Sequence, residues 1–244
     1  MGISSLELGI PMRHKILIII PAYNEAASIR EVIAGLKASV PHADVLVIND
    51  GSRDNTSEIA RKEGAMVLDL SFNMGIGAAV QTGFLFAEQR GYDAAVQVDG
   101  DGQHDPADVP ALLKELFETK VNMVIGSRYL RRNGYVSTKL RRIGIRFFAF
   151  FLFLLTRTYI GDPTSGFRAM DREAIRFFAS GYPSDYPEPE ALILLHKKGL
   201  KVAEAPVTMR PRSGGSSSIR MARACYYMFK VTLSVGMGMF KRVE

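Results

Sequence analysis

Two carboxylates one residue apart carry the clearest chemistry in this chain. Asp99-Gly100-Asp101 follows the apolar run Ala94–Val98, with Gly102, Gln103 and His104 immediately behind. In a tight turn both acids reach one site, and Gly100 and Gly102 permit such a turn and a close approach of backbone to ligand. Hard oxygen donors without a Cys or His cluster suit Mg²⁺ or Mn²⁺. Such an ion keeps waters and completes its shell with substrate phosphates, so a nucleoside diphosphate is the natural partner. Asp99 and Asp101 are therefore candidate metal ligands, and Gln103 could add a neutral oxygen.

Two further polar clusters have the same setting. Pro21–Glu25 follows the apolar run Lys15–Ile20, and Asn49–Asp54 follows Asp44–Ile48. The runs read as strands buried on both faces. Between them the pattern predicts a helix capped by Asn24 and running to about Ser39. A helix is predicted over Asp54–Glu63, a strand over Ala65–Leu70 and a helix over Gly75–Gln89. A strand at Ala94–Val98, a helix at Pro106–Thr119 and a strand at Asn122–Ile125 complete the series. The alternation predicts an α/β fold, a mainly parallel sheet flanked by helices on both faces. In such sheets ligands bind outside the C-terminal strand ends. All three clusters fall there, so they are expected to converge on one cleft.

Composition excludes several other classes. The chain has 244 residues, 47% apolar and 23% charged, enough to bury a core in one large α/β domain. Its single cysteine, Cys225, rules out an internal disulfide framework and a multi-cysteine metal site. A net charge of +6 suits nucleotides, phosphates or an acidic bilayer. The basic residues lie beside long apolar runs rather than on an aromatic-interleaved polar face, so no nucleic-acid partner is expected. There is no G-x-x-x-x-G-K-[ST] and no G-x-S-x-G. Gly75-Ile76-Gly77 precedes a helix but lacks the third glycine of a dinucleotide fingerprint and follows the third strand. No basic region followed by an apolar stretch opens the chain, and no run reaches the roughly 20 residues of a membrane span.

In combination and in this order, Pro21-Ala22-Tyr23-Asn24-Glu25, Asn49-Asp50-Gly51-Ser52-Arg53-Asp54-Asn55-Thr56 and Asp99-Gly100-Asp101-Gly102-Gln103-His104 resemble the family-2 glycosyltransferases of GT-A fold. Gly126-Ser127-Arg128-Tyr129, Ser165-Gly166-Phe167-Arg168 and Arg212-Ser213-Gly214-Gly215-Ser216-Ser217 narrow the likeness to the dolichyl-phosphate mannose synthase branch, which loads a sugar onto a polyprenyl phosphate. The resemblance covers roughly residues 15–218.

It implies a site residue by residue. Pro21, Tyr23 and Glu25 match the loop around nucleobase and ribose, and Asp50 the acid that contacts the base. Asp99 and Gly100 open the D-x-D motif, Asp101 matches the metal-binding acid and Gln103 a further metal contact. Arg128 and Arg168 match positions near the acceptor phosphate. Arg212 matches an arginine that closes over the donor, with Ser217 in the same segment. The branch often carries a lysine where Ser217 and Ser218 stand, so this loop holds one charge fewer. The implied reaction is metal-dependent, inverting transfer from a UDP- or GDP-sugar, with Mg²⁺ or Mn²⁺ as cofactor. An acceptor phosphate, mostly ionised at neutral pH, needs cations rather than a base. A hydroxyl acceptor would need a carboxylate. Asp185, Glu188 and Glu190 are the candidates, with Glu190 the favoured base.

The stretch 139–158 places Lys139, Arg141, Arg142 and Arg146 before a phenylalanine-rich run that ends at Leu155. It is expected to lie in a membrane interface, arginines at the headgroups and Phe and Leu in the acyl layer. Arg141 and Arg142 could also meet the acceptor phosphate. The domain is expected over 15–218, preceded by a tail at 1–14. The amphipathic tail at 219–244 suits a second membrane-surface helix or a homo-oligomer contact. The expected location is cytoplasmic, peripheral on the inner face of the cell membrane.

Overall fold

The computed structural model describes residues 14–130, 139–184 and 187–210, with side chains of the 139–143 stretch left out. The expected tails at 1–14 (beyond His14) and 219–244 lie outside the described residues, as do Asp185, Arg212 and Ser217.

The first strands are β1 (Ile16–Ala22), β2 (Asp44–Asn49), β3 (Met66–Asp69), β4 (Ala94–Gln97) and β5 (Met123–Ser127). They alternate with helices α1 (Ile29–Ser39), α2 (Thr56–Lys62), α3 (Ile76–Gln89) and α4 (Val109–Thr119). Then follow α5 (Lys139–Thr156), β6 (Arg168–Asp171), α6 (Arg172–Ser180), α7 (Pro187–Lys198) and β7 (Val202–Pro206). They form one seven-stranded sheet in the order β3-β2-β1-β4-β6-β5-β7. All neighbours are parallel except β6, which is inserted antiparallel between β4 and β5.

The unbroken apolar runs are explained by two cores. Leu17, Ile19, Leu46 and Ile48 face a core that contains Phe84 of α3, Phe178 of α6 and Ile193 of α7. Ile16, Ile18, Ile20, Val45 and Val47 face the opposite core, with Ile33 of α1 and Leu112 of α4. Side chains alternate across a strand, so burial on both faces demands an apolar residue at every position.

Two expectations need correction. The first helix begins at Ile29, not after Asn24, because Asn24 adopts a left-handed conformation (φ 57°) and uses its Oδ1 to accept from Arg53 N–H at 2.8 Å. The predicted helix from Pro106 is a short 3-10 turn, Pro106–Asp108, that passes into α4. The simple alternation also stops at β5. The chain crosses over through α5 and returns by β6, a four-residue strand headed by a charged arginine that apolar patterning does not mark.

Helix α5 is two-sided. Ile145, Phe148, Ala149 and Leu152, spaced as one helical stripe, are buried. Phe147, Phe150 and Leu154 form a second stripe and are 57%, 56% and 50% exposed. Core packing thus accounts for one face only.

Candidate active site

The three polar clusters do converge. Pro21, Ala22, Tyr23 and Glu25 from the end of β1, Asp50 after β2, and Asp99, Gly100 and Asp101 after β4 line one cleft of about 360 Å³. Asn73, Gly75, Ile76 and Ala79, at the start of α3, complete it. The loops are tied to one another by side chain to backbone hydrogen bonds. Asn24 N–H donates to Ser52 Oγ (2.9 Å), Glu25 N–H to Thr56 Oγ1 (2.9 Å) and Ala26 N–H to Asp54 Oδ2 (3.1 Å). The Ser28 hydroxyl, at the end of the first loop, donates to Gly100 carbonyl oxygen at 2.7 Å. The polar residues of these motifs therefore join the loops as well as line the cleft.

Asp50 shows the point most clearly. Its Oδ1 accepts from Met74 N–H at 2.7 Å and its Oδ2 from Gly75 N–H at 2.9 Å. A carboxylate thus sits at the N-terminus of α3, where orphan N–H groups and the helix dipole favour an anion. The glycine pair that fails the dinucleotide fingerprint has a different use here. Gly75 has φ 89°, which admits little else. A Cβ on Gly77 would lie 2.3 Å from Pro183 carbonyl oxygen, so only glycine lets the segment before α7 cross the start of α3. Asn73, Ile76 and Ala79 were not foreseen from sequence; the Gly75-x-Gly77 spacing was the available signal.

At the acidic motif, Asp101 is 6% exposed and its Oδ1 accepts from Gln103 N–H at 3.0 Å. Gly102 takes the left-handed conformation (φ 77°) that the turn requires. Asp99 N–H donates to His104 Nδ1 at 3.1 Å. The Gln103 carbonyl accepts from Arg210 N–H at 2.8 Å, so the segment after β7 runs along the motif, two residues before Arg212. Among the described residues no group of three His, Cys, Asp or Glu is placed to hold a metal by itself. Of the three expected ligands Asp99 and Asp101 line the cleft and Gln103 does not; two carboxylates fit a hard cation that shares its shell with phosphate oxygens and water.

The two arginines expected near the acceptor phosphate, Arg128 and Arg168, are buried, and both act electrostatically on Glu188, as does Asp99. Neither Arg128 nor Arg168 lines this cleft. Arg128 is 7% exposed and pairs with Asp162, Nε to Oδ2 and Nη2 to Oδ1 both at 2.6 Å, with Thr164 Oγ1 at 2.9 Å from Nη2. Asp162 is itself fully buried and held by Arg128 N–H at 3.1 Å. Arg168 is wholly buried within β6. Its Nε donates to Ser165 carbonyl at 2.8 Å, and its Nη2 to the carbonyls of Pro163 (3.2 Å) and Glu188 (2.8 Å). Its Nη1 has no hydrogen-bond partner among the described residues. Arg128 is thus paired with a carboxylate, and Arg168 is enclosed by backbone carbonyls. Arg141 and Arg142 fall in the first turn of α5, and their side chains lie outside the described part.

Glu188 and Glu190 lie half-buried in the first turn of α7. Burial pushes the Glu188 carboxyl above its ordinary value; Arg168 opposes the shift and Asp99 adds to it.

Comparison with known proteins gives the same picture. The model of glycosyl transferase family 2 matches residues 17–178. The undecaprenyl-phosphate mannosyltransferase of Micrococcus luteus is 32% identical over 222 residues, 84% of this chain and 87% of that one. The UDP-N-acetylglucosamine–dolichyl-phosphate N-acetylglucosaminyltransferase of Methanococcus voltae is 29% identical over 212 residues, 79% of this chain and 84% of that one. Among solved structures, glucosyl-3-phosphoglycerate synthase from Mycobacterium tuberculosis, crystallised with Mn²⁺, uridine-diphosphate-glucose and phosphoglyceric acid, matches with a TM-score of 0.72. That match covers 95% of this chain and 82% of the other at 22% identity, which is a likeness of fold. A GT-A sheet, its motif loops gathered on one cleft and a family match across both together make this chain a member of glycosyl transferase family 2, a glycosyltransferase.

Proposed function

We propose that this enzyme moves a sugar, with inversion, from a UDP- or GDP-sugar to a polyprenyl phosphate at the inner face of the cell membrane. The observation that carries the reading is the cleft itself, lined together by Tyr23, Glu25, Asp50, Asp99 and Asp101. Relatives named for polyprenyl-phosphate acceptors support the acceptor class.

In this reading Pro21, Tyr23, Glu25 and Asp50 hold the nucleoside. Asp50 oxygens that already accept a backbone N–H keep a second lone pair for a base N–H. Asp99, Asp101 and Gln103 hold Mg²⁺ or Mn²⁺, which, when bound, neutralises charge on the leaving diphosphate. Arg212 and Ser217, which lie outside the described residues, are assigned to the donor, where the guanidinium would add to that stabilisation. The acceptor phosphate, already ionised, is placed by cations. Arg128, Arg141, Arg142 and Arg168 are the cations assigned to it. A phosphate that reached Arg128 would have to share it with Asp162.

The exposed stripe Phe147, Phe150 and Leu154, flanked by exposed Arg146 and Arg157, supports α5 as the membrane-surface element. No helix among the described residues is long and apolar enough to cross a membrane.

The test is product formation from UDP- and GDP-sugars with Mn²⁺ or Mg²⁺, using undecaprenyl phosphate in detergent and a phosphate-free polyprenol as control. A glycolipid that requires both metal and lipid phosphate is expected. Donor binding without product on the lipid phosphate would overturn the reading. The desolvated Glu188 carboxyl favours the second reading, a hydroxyl acceptor on a lipid-linked glycan with Glu188 or Glu190 as base.

A further inference from the structure

We infer that His104 is a positioning residue for the metal-binding carboxylates, acting through Asp99. This rests on the metal-dependent reading above. Asp99 N–H can only donate, so the His104 Nδ1 that it meets at 3.1 Å must be the unprotonated nitrogen. The neutral ring therefore carries its hydrogen on Nε2, which lies 3.7 Å from Asp99 Oδ2. At that distance the contact is a charge–dipole attraction rather than a hydrogen bond. One imidazole thus holds the backbone of Asp99 and faces its carboxylate.

The ring has little freedom to do otherwise. It is 4% exposed and stacks on Phe167, ring centroids 4.7 Å apart and planes within 15°. Its backbone pairs antiparallel with Met209. The next residue on that strand, Arg210, donates its N–H to Gln103 carbonyl and its guanidinium to Asp105 Oδ1 at 2.8 Å. His104 is therefore clamped between Phe167, which precedes β6, and the segment that leads towards Arg212. Groups of this kind behind a metal ligand typically change metal affinity 10- to 100-fold when removed.

The experiment compares wild type with His104→Phe, which keeps the stack and the volume, and His104→Asn, whose Oδ1 can replace Nδ1 as the acceptor. Free Mn²⁺ is measured by electron paramagnetic resonance during titration with saturating UDP, and again with GDP. Nucleotide affinity without metal and Tm are recorded alongside. Expected is a roughly tenfold or greater loss of Mn²⁺ affinity in His104→Phe, substantial recovery in His104→Asn, and metal-free nucleotide affinity near wild type in both. Mn²⁺ affinity in His104→Phe within twofold of wild type would overturn the inference. So would equal losses in both variants accompanied by equal falls in Tm and nucleotide affinity, which would make the residue merely structural. Failure of wild type itself to bind Mn²⁺ with either nucleotide would instead sink the metal-dependent reading on which the inference stands.

Discussion

The two sides of the sheet centre treat charge in opposite ways. On the β1–β2–β4 side, carboxylates at loop ends line a cleft and are steadied by backbone N–H groups: Asp50 by Met74 and Gly75, Asp101 by Gln103. On the β5–β6–β7 side, charge is buried and closed upon itself. Arg128 and Asp162 form a two-pronged pair, Arg168 is surrounded by carbonyls, and Glu204 accepts from the N–H groups of Gly161 and Asp162 at 2.8 and 2.9 Å. A carboxylate supported by N–H dipoles keeps its net charge and can still meet a cation or a base. A salt-bridged arginine has little net field to offer. The comparison teaches that the first region leaves its charges at an open cleft, whereas the second spends them on one another and on backbone groups around a partly antiparallel crossover.

Substitutions on the two sides should therefore fail differently. Asp101→Ala should reduce transfer about 10³-fold or more, the scale of losing a principal electrostatic stabiliser, while Tm and the far-UV spectrum stay near wild type. A comparable activity with the fold intact would remove Asp101 from the chemistry. Asp162→Ala should do the reverse and cost about 3–5 kcal/mol in denaturant unfolding, because Arg128 would remain buried without its counter-charge. A cost under about 1 kcal/mol would mean that the pair is not buried in solution.

Gly77→Ala tests the join between the regions. Its Cβ would meet Pro183 carbonyl oxygen, so a cost of about 1–3 kcal/mol is expected. A weaker nucleotide affinity should accompany it, because Ile76 and Ala79 line the cleft. Unchanged stability with unchanged affinity would show that the segment before α7 does not cross α3 so closely.

The smallest effect is expected at Glu188. Its folded-state value is raised above 4.5, so its favourable contribution is full below 4.5 and is lost as pH rises through the folded value. Glu188→Gln should therefore raise Tm slightly at pH 7 to 8, a difference that vanishes below pH 4.5. Transfer to lipid phosphate should persist in this variant. A collapse of activity with the predicted Tm gain would favour the base role over the phosphate-acceptor reading.

Much of the binding side was legible beforehand. Continuous apolar runs could only be strands covered on both faces, and polar clusters after three of them had to meet at one edge. Seven of the residues named from the motifs, Pro21, Tyr23, Glu25, Asp50, Asp99, Gly100 and Asp101, line the cleft. The supporting side was less legible. For Arg128 and Arg168 the sequence carries their charge but not their partners, which lie 34 residues away for Asp162 and 20 for the Glu188 carbonyl. Asn24 read as a helix cap for the same reason: its side chain reaches across to Arg53 instead of forward along its own chain.

Residue type and order alone determined the alternating α/β pattern, the two-carboxylate motif and the family resemblance, because periodicity, turn chemistry and local spacing are short-range properties. Only the tertiary structure decided that β6 runs antiparallel inside the sheet, that Asp50 occupies the start of α3 and that Arg168 is enclosed. Those outcomes depend on which distant backbone groups satisfy a buried charge or an orphan N–H, and a chain written in one dimension does not contain that pairing.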